Sequence, residues 1–105
     1  MAEERAGEAA RELPAAQDVV DLLEAYLDEH APARYSREIE DHFTIMRVEP
    51  GKLWLEPFTS GDSTIGPIPV PREVSRICKE GWDISGVAVK TPKGWRLMEL
   101  WNVSP

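Results

Sequence analysis

Apolar positions recur at three- and four-residue spacing early in this chain and in short alternating runs later. From Pro14 to His30, Val19, Leu22, Leu23, Tyr26 and Leu27 fall on one face of a helix. Asp18, Asp21, Glu24 and Asp28 take the opposite face, as on a solvated amphipathic helix or a docking face for a basic partner. Pro14 suits a first helical turn, and Ala31-Pro32 ends the helix. Tyr35, Ile39 and Phe43 then repeat at a spacing of four, which predicts a second short helix from Pro32, or from Ser36 as an N-cap. Residues 14–43 thus read as a helical hairpin. Residues 1–13 are rich in Ala, Glu and Arg without an apolar stripe and read as a flexible acidic arm.

The period changes after Phe43. Thr44 to Val48 and Leu53 to Phe58 read as two strands joined by the turn Glu49-Pro50-Gly51-Lys52. A polar loop follows over residues 59–64. Ile65 to Val70 is extended, and its two prolines confine it to a sheet edge. Pro71 opens a helix over 71–80 with Val74, Ile77 and Cys78 as its stripe, and Gly81 closes it, which packs Trp82 back on Ile77. Ile84 to Lys90 and Trp95 to Val103 form a last pair of strands around Thr91-Pro92-Lys93-Gly94, with a β-bulge expected near Leu97-Met98.

The expected fold is α+β: a single domain over 14–105 in which the helical hairpin packs on a small antiparallel sheet, with one connecting helix. The strand pattern also suits a partly open SH3-like barrel. Alternation sorts the four tryptophans. Trp82 ends a helix and Trp95 faces the main core, whereas Trp54 and Trp101 fall on the sheet's second face. There they are either covered by the N-terminal helices, through Leu23, Leu27, Tyr35 and Ile39, or offered to a partner as an aromatic platform.

Charge adds an asymmetry. The chain of 105 residues carries −7, of which residues 1–42 hold −8 (12 acidic, 4 basic) and residues 43–105 hold +1 (7 acidic, 8 basic). The first half repels nucleic acid. Lys79, Lys90, Lys93, Arg96, Arg72 and Arg76 scatter positive charge through the second half without a recognisable motif. The lone Cys78 excludes an internal disulfide, and no apolar run approaches the roughly 20 residues of a membrane span. With no signal-peptide pattern at the start, a soluble cytoplasmic protein is expected.

Catalytic groupings are sparse. Gly61-Asp62-Ser63 echoes a serine-hydrolase loop, but the two histidines, His30 and His42, lie upstream on expected helices. Glu38 and His42 would pair at helical spacing, and two ligands do not make a metal site. No nucleotide-binding glycine loop or zinc-spaced cysteine set occurs. No catalytic residue, metal ligand or cofactor is assigned. The expected function is a non-catalytic interaction or adaptor domain, binding a protein partner or a second copy through Trp54 and Trp101. The alternative is a nucleic-acid-associated accessory protein using the neutral-to-basic half.

Overall fold

The computed structural model describes the backbone of residues 2–105 and the side chains of residues 12–105. In chain order the elements are α1 (Ala2–His30), β1 (Arg37–Glu49), β2 (Lys52–Pro57), β3 (Ile65–Pro69), α2 (Arg72–Ile77), β4 (Asp83–Thr91) and β5 (Gly94–Ser104). The strands form one antiparallel sheet in the order β3-β2-β1-β4-β5. The sheet curls into a half-barrel, so its edge strands β3 and β5 approach each other across the open side. The architecture is α+β, with one long helix and one short one.

The apolar stripe of α1 fills that half-barrel. Ala16, Val19, Leu23 and Leu27 are buried in one cluster with Phe43, Ile45, Leu53, Leu55, Ile68, Ile84 and Leu97. The helix also extends upstream of Pro14, which lies inside it rather than in its first turn. Ala, Glu and Arg are good helix formers and carry the backbone there without a buried stripe. The ion pair of Lys79 with Glu12, at 3.2 Å, ties this part of α1 to the chain beyond α2. The side chains of residues 1–11, most of the expected flexible arm, lie outside the described residues.

The expected second helix over 32–43 is instead an irregular linker up to Ser36 followed by the first half of β1. Ile39, Asp41, Phe43 and Ile45 alternate inward, and Glu38, Glu40 and His42 face outward. Ile39 and Phe43 at a spacing of four fit either period. A carboxylate at the inward position between them, Asp41, disguised the alternation. With no helical hairpin, the one long helix among the described residues is on the concave side, and Trp54 and Trp101 are not covered in the way expected. Leu23 and Leu27 go to the core, Ile39 is a core strand residue, and Tyr35 is exposed.

The other elements depart less from expectation. α2 stops at Ile77 because Cys78 turns extended, before reaching Gly81. Trp82 then enters the core, and its carbonyl accepts the Ile45 N–H at 2.8 Å. The sheet's outer face is largely polar. Its buried apolar part is the pair Val87 and Val89, flanked on neighbouring strands by Glu40 and Glu99, and by Glu38 and Arg96.

Two bulges shape β5. The register with β4 slips once at Met98, as expected near Leu97-Met98, and again at Trp101. Between the slips lies Gly86. A Cβ built there would sit 2.1 Å from the Glu99 carbonyl oxygen. Only glycine lets β5 descend onto β4 so closely, and each bulge re-aims the extra side chain. Gly86→Ala should therefore lower stability by about 2 kcal/mol, as overpacking does. Urea unfolding measures it, and an unchanged midpoint would contradict the close approach.

Candidate functional site

The second bulge puts Trp101 at the surface. It is 51% exposed, because the register slip takes it out of the alternation that buries Leu97 and Val103. Together with Met98, Glu99 and Leu100 of β5 it lines a groove of about 340 Å³, whose other wall is Glu24, Leu27 and Asp28 of α1. Glu24 and Asp28 lie on the polar edge of the helix, beside Leu27 of its apolar stripe. The groove thus has an apolar floor and a rim of three carboxylates.

Trp54 is elsewhere. It faces away from Leu53 and Leu55, which are 1% exposed, as alternation requires. Arg47, its cross-strand partner on β1, lies over its ring at 4.8 Å from the centroid. On the other side is Gly66, where a Cβ would come within 2.7 Å of the ring. Trp54 and Trp101 lie on strands separated by β1 and β4, and the groove beside Trp101 does not include Trp54. A single aromatic platform made by both is not formed.

The loop after β2 is held by Asp41. Its carboxylate accepts the Thr59 N–H and hydroxyl and the Ser60 N–H, each at 2.9 Å, and the His42 N–H at 2.7 Å. Burial works against the charge on Asp41, but these bonds outweigh it and hold the pKa below the ordinary carboxylate value. In the same loop Asp62 pairs with Arg37 at 2.6 Å, which lowers its pKa as well. The loop containing Gly61-Asp62-Ser63 is therefore built around two carboxylates acting as structural acceptors.

The histidine nearest in sequence to that loop is engaged otherwise. The ring of His42 is hydrogen-bonded to Ser85 Oγ at 2.5 Å on the outer face. Glu38 and His42 share that face, but four strand residues set them about 13 Å apart rather than side by side. Among the described residues no group of three His, Cys, Asp or Glu side chains could hold a metal ion. Burial pushes the Cys78 thiol up to about 12, so it is a poor nucleophile at neutral pH. No described helix is long and apolar enough to cross a membrane. No family model, curated protein or solved structure matches the chain.

The signal for the groove was present in part. The spacing of Glu24 and Asp28 showed a polar helix face, and Leu97-Met98 hinted at a bulge. The second bulge was hidden, because Gly86 signals a close approach of backbone without saying which residue it displaces.

Asp41 gives a pH prediction. Its folded pKa lies below the unfolded value near 3.8, so its contribution is fully present above that value and is lost as pH falls through the folded pKa. Asp41→Asn should cost about 2 kcal/mol at pH 7, by weakening charge-assisted bonds. Urea unfolding from pH 7 to pH 2 should show the gap between variant and parent narrowing with acid. A gap of constant size would contradict the assignment.

Proposed function

We propose that this protein is a non-catalytic interaction domain that binds a protein segment in the groove between α1 and β5. The observation that carries the reading is the half-exposed Trp101 on that groove. A large ring at the surface, packed between strand and helix, is the kind of residue that dominates interface energies. Leu27, Met98 and Leu100 add apolar area around it. Glu24, Asp28 and Glu99 set the partner's character: an apolar anchor flanked by lysine or arginine. Trp54, under Arg47, is outside this surface, so the binding role rests on Trp101.

In this reading the half-barrel is a partly open SH3-like barrel with α1 as its plug, working in the cytoplasm as an adaptor or regulatory subunit. The bulges in β5 disfavour simple strand addition along that edge, which directs the partner to the groove instead.

A photo-crosslinking residue, benzoylphenylalanine, in place of Trp101 tests the reading in the cells that make the protein. Irradiation should yield one discrete protein adduct, and the same probe at Lys52 should yield none. Absence of an adduct at position 101, or equal labelling at both positions, would contradict it.

A further inference from the structure

The fold gathers positive charge at one end of an otherwise acidic molecule. The chain leaving α1, the end of β4 and the β4–β5 turn meet there. Ser36 N–H bonds the Lys90 carbonyl at 2.9 Å and fixes the linker against β4. The Thr91 hydroxyl bonds the Gly94 carbonyl at 2.8 Å and accepts the Lys93 N–H at 3.1 Å, which holds the turn. Two adjoining hollows result, of about 530 and 290 Å³, sharing Thr91 and Pro92 in their walls.

Arg34, Lys90, Lys93 and Arg96 line these hollows, and neither has a carboxylate in its wall. Among the described residues none of the four is in an ion pair. The four arrive from segments up to 62 positions apart, which is why the sequence shows them as scattered. Rings stand among them. Tyr26 and His30 lie with centroids 4.6 Å apart in the larger hollow, and Tyr35, 41% exposed, lines the smaller one. Trp95 is paired across the strands with Lys90. Glu29, next to this end, lies 3.7 Å from His30, and Glu38 sits on β1 opposite Val89, the cross-strand neighbour of Arg96.

We propose that this end of the molecule binds single-stranded nucleic acid, in addition to the protein partner of the α1–β5 groove. Phosphodiester groups lie on Arg34, Lys90, Lys93 and Arg96, and bases stack against the exposed tyrosine and the Tyr26–His30 pair. Cations alone would serve any polyanion. Cations interleaved with ring surfaces suit unpaired bases, whose faces are free to stack. Outside these four cations the chain carries 19 acidic and 8 basic residues, a balance that disfavours polyanion binding elsewhere and makes the complex strongly salt-dependent.

Fluorescence anisotropy with labelled dT and U oligomers of about 12 nucleotides tests the proposal on the full chain. Binding should appear at low salt and fall with a log–log slope of about −3, since each of four neutralised phosphates releases about 0.7 counterion. Lys90→Ala with Lys93→Ala should weaken binding at least tenfold and make the slope shallower. Tyr35→Ala should weaken it with the slope kept. Arg72→Ala with Arg76→Ala, on α2, should leave it unchanged. These side chains are exposed, and near-UV circular dichroism checks each fold. The proposal is overturned by no binding at low salt, by equal binding of a duplex, by equal displacement with polyglutamate, or by insensitivity to the Lys90 and Lys93 changes. None of these outcomes touches the groove around Trp101, whose crosslinking test is independent.

Discussion

A sheet of five strands that curls without closing leaves an apolar interior open along one side, and in this protein α1 fills the opening. Val19 and Leu23 are fully buried, with Leu27 and Ala16 at the ends of the same stripe. Truncating one such leucine costs about 2–5 kcal/mol elsewhere, a large share of the stability of a domain this small. The helix therefore completes the core, and it also supplies one wall of the Trp101 groove and of the larger cationic hollow. Its polar edge, Glu24 and Asp28, borders the Trp101 groove. Its end, at Tyr26 and His30, borders the larger cationic hollow.

Backbone irregularity does the positioning on the sheet side. Gly86 lets β5 come down onto β4, and the paired strands absorb the mismatch in two bulges. One of these turns Trp101 outward beside residues that alternate into the core. The buried Asp41, directly across from Gly86 on β1, plays the corresponding part where β2 has ended and the loop through Thr59 and Ser60 needs acceptors for its N–H groups. In both places a residue that breaks the local sequence rule marks where the regular sheet gives way.

The same two residues explain how far the sequence could be read. The stripe of α1, the strands around Pro50-Gly51 and Pro92-Lys93, the edge role of the proline-bearing β3 and the first bulge in β5 all follow from periodicity and turn chemistry. The second helix was misread because Asp41 occupies an inward position, leaving Ile39 and Phe43 as an ambiguous pair. Alternation assigns Trp101 away from the core, and the second bulge is what turns it to the surface while Val103 stays buried. The cationic end was not legible at all. Arg34 precedes β1 whereas Lys90, Lys93 and Arg96 lie far along the chain, and only sheet pairing brings them together.

The central claim is that α1 and the curled sheet form one cooperative core. Native-state amide hydrogen exchange reads this directly, because elements of one cooperative unit open with a common free energy. Amides from Val19 to Leu27 should exchange with the same opening free energy as those in β1 and β4. If those helix amides opened at a free energy lower by more than about 2 kcal/mol while the strands stayed protected, α1 would be an appendage, and the account of the half-barrel would fail.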